Sequence, residues 1–185
     1  MNRTAVLFID FQRDFLEADG RLTVGKVRAK ALLDQAAQLL EAAREGRYDA
    51  VFVINEFSPD DRIGNFLRNH SALRGRPGAE MDPRIGAEGF PLFTKSASDG
   101  FTNPKFLAHL REQAYTELAL TGVMAEDCVR ATANSALRHG FRVKLLADAV
   151  ESNQEWKRMC CDFVVEPKIG LDDWKFSSSP RTDRE

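Results

Sequence analysis

The feature that most constrains this fold is an alternation of short apolar runs with longer amphipathic stretches. Helical periodicity and stop signals predict helices at 22–44, from 104 onward, at about 125–139 and at 154–161. The apolar runs between these stretches predict buried strands at 5–10, 50–55, 91–95, 117–122, 142–148 and 162–166. Strands that are apolar throughout and separated by helices indicate a parallel sheet covered on both faces. We therefore expect an α/β fold, a three-layer α/β/α sandwich with a mainly parallel six-stranded sheet of Rossmann-like architecture.

The chain organisation predicts a single domain. A length of 185 residues suits one domain with a sizeable core, and no internal repeat or boundary interrupts residues 1–185. Two segments depart from the alternation. Residues 56–90 form a long connection rich in Gly, Pro, Arg and Asp, and connections of that length are usually functional. Residues 170–185 form a polar C-terminal tail.

Composition excludes several classes of partner. The 26 basic and 28 acidic residues are interspersed and give a net charge of −2, so we expect neither nucleic acid nor a membrane surface as a partner. No apolar stretch approaches the ~20 residues that span a bilayer, and the N-terminal run is too short for a signal peptide. The three cysteines do not resemble a disulfide framework, which favours a reducing compartment and predicts a cytoplasmic protein.

Chemically distinct side chains lie at the carboxyl ends of the predicted strands, where ligands bind in open parallel sheets. Asp10 ends the first strand, Lys95 ends the third, and Cys128 lies in the first turn of the helix after the fourth. A thiolate is favoured at such a position, a carboxylate can exchange protons with it, and a lysine can hold the carboxylate ionised. Each residue also has a structural interpretation: Cys128 as a small buried hydrophobe, Asp10 as a hydrogen-bond acceptor at a strand end, and Lys95 as a solvated charge.

Four segments of the sequence resemble the motifs of the isochorismatase-like hydrolase superfamily, in the same order. They are FIDFQRDF (8–15), RPGAEMDPRI (76–85), TKSASDGFTN (94–103) and the block from 120 to 149 that contains GVMAEDC. The resemblance implies that Asp10, Lys95 and Cys128 form a catalytic triad. It also implies a cis peptide between Val123 and Met124, with the N–H groups of Met124 and Cys128 forming an oxyanion hole.

One departure from the resemblance bears on cofactors. Nicotinamidase members place histidine ligands for a metal after the second strand, whereas here no histidine occurs until His70. A first-row metal would lack its imidazole ligands at this point, so we predict no metal and no other cofactor. Retention of Cys128 favours hydrolysis of a C–N bond in an amide, carbamoyl or ureide-like small molecule, through a thioester.

Two alternative functions stay open at this point. One is a vinyl-ether hydrolase of the isochorismatase type, in which Cys128 is a bystander. The other is a non-catalytic binding or scaffold protein with the same fold. By resemblance we expect a homo-oligomer, either a dimer or a tetramer. The candidates for the substrate pocket are Phe15, Glu56, Phe57, Phe66 and Phe101.

Overall fold

The sheet has six parallel strands. The structure, a computed structural model, describes residues 3–158 together with the backbone of residues 168 and 169. Its strands are β1 (Thr4–Ile9), β2 (Asp49–Asn55), β3 (Leu92–Lys95), β4 (Glu117–Gly122), β5 (Arg142–Val150) and β6 (Lys168–Ile169). All pairs are parallel, and the strand order is β3-β2-β1-β4-β5-β6. The predicted α/β class is confirmed, whereas the strand predicted at 162–166 lies outside the described residues.

Helices connect the strands largely where the periodicity predicts them. They are α1 (Arg13–Leu16), α2 (Lys26–Arg44), α3 (Arg62–Leu67), α4 (Pro104–Glu112), α5 (Arg130–Arg138) and α6 (Glu155–Arg158). The helix predicted at 22–44 begins only at Lys26, because Gly25 has a φ of 89° and interrupts the helical backbone. The start of α4 is as predicted, since the Asn103 side chain accepts the N–H of Lys105 at 2.9 Å. Within the described residues, no helix is both long and apolar enough to cross a membrane.

Helices cover both faces of the sheet and give three layers. Alternate residues of β1 point to opposite faces, as the period of a strand requires. Val6 and Phe8 join an apolar cluster formed largely with α2, while Leu7 and Ile9 join a second cluster formed with α4 and α5. These residues are fully buried. Burial on both faces explains why the strand sequences are apolar without alternation.

The strand order reverses between β1 and β4. The chain runs from β1 outward through β2 and β3, and from β4 outward through β5 and β6, so a crevice forms beyond the carboxyl ends of β1 and β4. These two strands approach closely at Gly122. Its φ is +125°, and a Cβ added there would lie 2.0 Å from the carbonyl oxygen of Ile9. Glycine is therefore required at this position for steric as well as conformational reasons.

The connection at 56–90 is a folded lobe. It contains α3 and two 3₁₀ turns. It is hydrogen-bonded to the segment that follows β1. The Asp14 carboxylate accepts the N–H of Ala72 at 2.8 Å, and the buried Gln12 amide donates to the carbonyls of Asn55 and Ala79 at 2.7 and 2.6 Å. Gln12 thus joins the lobe to the end of β2, so the lobe borders the crevice.

Candidate active site

The topology brings Asp10, Lys95 and Cys128 together in the crevice. Asp10 directly follows β1, Lys95 ends β3, and Cys128 lies in a π-helical turn (Ala125–Val129) between β4 and α5. The Lys95 ammonium donates to Asp10 Oδ2 at 3.0 Å and to Cys128 Sγ at 3.3 Å. The three residues are 1%, 3% and 4% exposed, respectively. The convergence that the sequence predicts is therefore present, and all three side chains are almost completely buried.

The environment of Lys95 fixes its position. Its third hydrogen bond goes to the carbonyl of Ala97 at 3.2 Å, so all three N–H groups of the ammonium have acceptors. Burial opposes the charge on Lys95, but Asp10 and Cys128 outweigh this effect and hold the pKa of the ammonium above its usual value. The lysine is therefore a fixed cation that contacts both the carboxylate and the sulfur.

Asn55 is a fourth member of this cluster, and the sequence analysis assigns it no role in the site. Its side-chain amide is fully buried and donates to Asp10 Oδ2 at 2.9 Å and to Cys128 Sγ at 3.3 Å. Its backbone N–H donates to the Gln12 side chain at 2.9 Å. The available signal was its position as the last residue of β2, at the same sheet edge as Asp10 and Lys95.

The Asp10 carboxylate has one bonded and one unbonded oxygen. Oδ2 accepts from Lys95 and Asn55, whereas Oδ1 is buried and accepts no hydrogen bond from the described residues. The backbone of Asp10 has a φ of 57°, a left-handed conformation that is uncommon outside glycine and frequent at functional sites. We therefore take Oδ1 as the candidate oxygen for proton exchange.

The environment of Cys128 disfavours the thiolate in the resting site. Burial raises the pKa of Cys128 well above its usual value, and the negative charge of Asp10 adds to this effect while Lys95 opposes it. The helix-terminus argument from sequence, which favours a thiolate, is outweighed here by desolvation. Burial also raises the pKa of Asp10, against the opposing charge of Lys95. The arrangement therefore suits a thiol that loses its proton only as it reacts.

The backbone before Cys128 contains a cis peptide and a wide π-helical turn. The Val123–Met124 peptide is cis, as the resemblance implies. The Met124 carbonyl accepts the N–H groups of Asp127 and Val129 at 3.1 and 3.2 Å, and within the described chain it accepts none from Cys128. The wide π turn thus leaves the Cys128 N–H without this usual helical partner, beside its own sulfur.

Two cavities lie at this end of the sheet, and Lys95 lines the first of them. One, of about 240 Å³, is lined by Lys95, Glu56, Arg74 and Asn103. The other, of about 310 Å³, is lined by Phe57, Met124, Asp127, Leu67 and Ser98. Of the predicted pocket residues, Glu56 thus lines the cavity that Lys95 also lines, and Phe57 lines the cavity beside Met124 and Asp127. The Phe57 ring is also covered by the Arg68 guanidinium, whose Cζ lies 3.7 Å from the ring centroid.

The other predicted pocket residues lie in different environments. Phe15 is buried in the apolar cluster on the α2 side of the sheet. Phe101 packs with its ring against Phe106 and stacks on His139. Phe66 is 76% exposed on α3, and its neighbour Leu67 lines the second cavity instead. The periodicity of a short helix in a long connection could not show which of the two side chains faces the cavity.

No metal site is evident in the part of the chain that the structure describes. Across residues 3–158, no three His, Cys, Asp or Glu side chains come together in a group that could hold a metal ion. The stretch after β2 carries Glu56 and Phe57 where the metal-using relatives are expected to have ligands. The cofactor-free mechanism nevertheless remains a prediction.

Comparison with known proteins gives consistent similarities. Residues 4–160 match the model of the isochorismatase domain family. The chain is 26% identical to a nicotinamidase/pyrazinamidase of Mycobacterium tuberculosis over 78% of this chain and 84% of that protein. It is equally identical to a probable inactive nicotinamidase of Arabidopsis thaliana, over 79% of each chain.

A third relative is more similar but longer. Streptothricin hydrolase of Streptomyces noursei is 32% identical over 78% of this chain. The matched segment covers 48% of that protein. The solved structures include an isochorismatase-like hydrolase from Alkaliphilus metalliredigens with a TM-score of 0.85, covering 95% of this chain and 98% of that chain at 24% identity. The structural similarity at this identity supports the fold described above.

Proposed function

Because the chain belongs to the isochorismatase family of hydrolases, we propose that it cleaves a C–N bond of a small amide, carbamoyl or ureide-like molecule through a thioester on Cys128. One observation carries the proposal: a buried thiol sulfur that accepts hydrogen bonds from both Lys95 and Asn55, next to the Asp10 carboxylate. Two donors directed at one sulfur stabilise the thiolate that forms during attack. A cysteine that served only for packing would not require them.

The first half of the reaction forms the thioester. Asp10 takes the proton of Cys128, and the sulfur attacks the carbonyl carbon, so that the carbonyl oxygen becomes an oxyanion. The N–H groups of Met124 and Cys128 are the proposed donors to this oxyanion, and one such donor is worth about 2.7–4 kcal/mol in a well-studied protease. Asp10 then gives its proton to the leaving nitrogen, the C–N bond breaks, and an amine or ammonia departs.

The second half releases the acid. With the amine gone, Asp10 is again a carboxylate and takes a proton from a water molecule that attacks the thioester carbonyl. The C–S bond breaks, the sulfur recovers the proton from Asp10, and a carboxylic acid leaves. Lys95 holds Asp10 in place through both halves and stabilises the transient thiolate. No group outside this chain and water is needed to balance the steps.

The buried site supports a small substrate. Cys128 is only 4% exposed, and the cavity that Lys95 lines is about 240 Å³, below the lower end of ordinary ligand pockets. We also propose a cytoplasmic location, since the chemistry requires a free thiol, and a homo-oligomer, as the family resemblance implies. Size-exclusion chromatography with light scattering tests the oligomer directly.

A hydrolysis screen tests the proposed function. Small primary amides, ureas and carbamates would be incubated with the protein, and ammonia or amine release would be measured. We expect turnover of at least one class, and its loss in Cys128→Ala with the fold intact. Full turnover by Cys128→Ala would refute the thioester route and support the vinyl-ether alternative. No turnover of any class would support a non-catalytic member of the family.

A further inference from the structure

We propose that the Asn55 side-chain oxygen binds the N–H of the reacting amide, so that the site selects substrates whose scissile nitrogen carries a hydrogen. Esters and fully substituted amides would then react poorly. The inference rests on the proposed function and deepens it, because it assigns a substrate-binding role to a residue outside the triad. Its basis is an unpaired acceptor beside the nucleophile.

The hydrogen-bonding groups of the Asn55 side-chain amide are only partly paired. Both of its N–H groups have acceptors, Asp10 Oδ2 and Cys128 Sγ, whereas its Oδ1 is buried and accepts no hydrogen bond from the described residues. The residue is 0% exposed. Buried amide oxygens are almost always hydrogen-bonded, and one without a partner requires an explanation. A substrate donor supplies that explanation here, because the oxygen belongs to a group already in contact with the nucleophile.

The orientation of the amide is determined by its neighbours. Turning it over would place the amide oxygen against the Asp10 carboxylate oxygen, which is an acceptor, and would remove the N–H donors to Asp10 Oδ2 and Cys128 Sγ. The flanking backbone is also fixed, since the Asn55 N–H donates to Gln12 Oε1 and the Asn55 carbonyl accepts from Gln12 Nε2, at 2.9 and 2.7 Å. Oδ1 therefore stays available as an acceptor next to the reactive groups.

This position has a consequence for the leaving group. The same amide that binds the substrate N–H also donates to Asp10, the residue proposed to protonate the leaving nitrogen. Asn55 would thus hold the nitrogen next to its proton donor. A site built to bond a substrate donor disfavours analogues that lack it, because its own polar group is then left unpaired.

Paired alkylating reagents test the inference without requiring turnover. Iodoacetamide carries an amide N–H, and methyl iodoacetate is its ester counterpart. The rate of Cys128 modification by each would be followed by peptide mass spectrometry, and the ratio would be divided by the ratio for glutathione. We expect the wild type to favour iodoacetamide by about tenfold or more, and Asn55→Leu to lose that preference. A wild-type ratio equal to that of glutathione overturns the inference, whatever the outcome of the hydrolysis screen.

Two further variants separate substrate binding from structural effects. Asn55→Asp keeps an oxygen at the Oδ1 position but loses the N–H donors, so it should react more slowly with both reagents and retain the preference. Asn65→Leu is the matched control, since Asn65 is also buried but donates to the carbonyls of Ser58 and Pro59. Its preference should equal that of the wild type. Loss of preference in Asn65→Leu, or its retention in a folded Asn55→Leu, would contradict the assignment.

Discussion

Replacement of Lys95 by methionine tests whether the buried ion pair holds the site together. The two side chains are 0% and 1% exposed, and Lys95 Nζ lies 3.0 Å from Asp10 Oδ2. Methionine has a similar length and fills the space, so the change removes charge rather than volume. Removal of one partner from a buried pair leaves an uncompensated charge and costs about 3–5 kcal/mol. We expect a loss of that size in the free energy of unfolding at neutral pH.

The loss of stability in Lys95→Met should depend on pH, and the direction of this dependence follows from the pKa of Asp10. Burial raises the pKa of this carboxyl and Lys95 lowers it, so loss of Lys95 moves the pKa further up. Below the raised pKa the carboxyl binds a proton in the folded state and needs no cation. Stability of the variant relative to the wild type should therefore improve as the pH falls from about 8 to about 5. The double variant Asp10→Asn/Lys95→Met should recover most of the stability.

Urea denaturation followed by circular dichroism measures these differences, with Lys30→Met as the control. Lys30 also forms an ion pair, with Asp34 at 2.6 Å, but the two side chains are 76% and 58% exposed. Exposed pairs of this kind contribute roughly 0.3–0.5 kcal/mol. If Lys95→Met costs no more than Lys30→Met, or if its cost grows as the pH falls, the reasoning about the buried pair is wrong.

Three further predictions concern the backbone, the pH profile and metals. Gly122→Ala should abolish activity and destabilise the protein, because the added Cβ would clash with the carbonyl of Ile9. Gly140→Ala is the control, since its Cβ has open space at φ +86°, and it should cost only about 1–2 kcal/mol of stability. Thermal unfolding and turnover compare the two variants. The acid limb of kcat/KM should lie above the ordinary aspartate pKa of 3.8, because burial raises the pKa of Asp10, and Lys95→Met should move that limb to higher pH in whatever activity remains; a limb that stays in place in the variant would contradict the coupling. Dialysis against a chelator should leave activity unchanged, since no histidine occurs across 55–69; restoration of lost activity by zinc, iron or manganese would refute this.

The sheet could be predicted from sequence because its strands are buried on both faces. Runs such as 50–55 are apolar without alternation, and glycines follow several of the predicted helices. The positions of the strands can therefore be predicted within a few residues. The lobe at 56–90 could not be predicted in this way. Its structure depends on bonds to distant residues, such as those from Gln12 and Asp14, and local periodicity carries no information about them.

The site could be predicted only in part, for a similar reason. Strand ends and the family motifs placed Asp10, Lys95 and Cys128 at one edge of the sheet, and the structure brings them within hydrogen-bond distance. The position of Asn55 at the end of a strand is visible in the sequence, but its contacts with Asp10 and Cys128 depend on the packing of the sheet. The high pKa of Cys128 was also missed, since desolvation depends on burial that a helix-position argument does not include.

Direct detection of the thioester tests the central claim most directly. The protein would be mixed with a substrate found in the hydrolysis screen, quenched in acid within the first turnovers and digested at low pH for mass spectrometry. We predict an acyl adduct on the peptide that contains Cys128, with the mass of the substrate's acyl group, and none on that peptide in Cys128→Ala. Sustained turnover without an adduct, together with full activity of Cys128→Ala, would contradict the account.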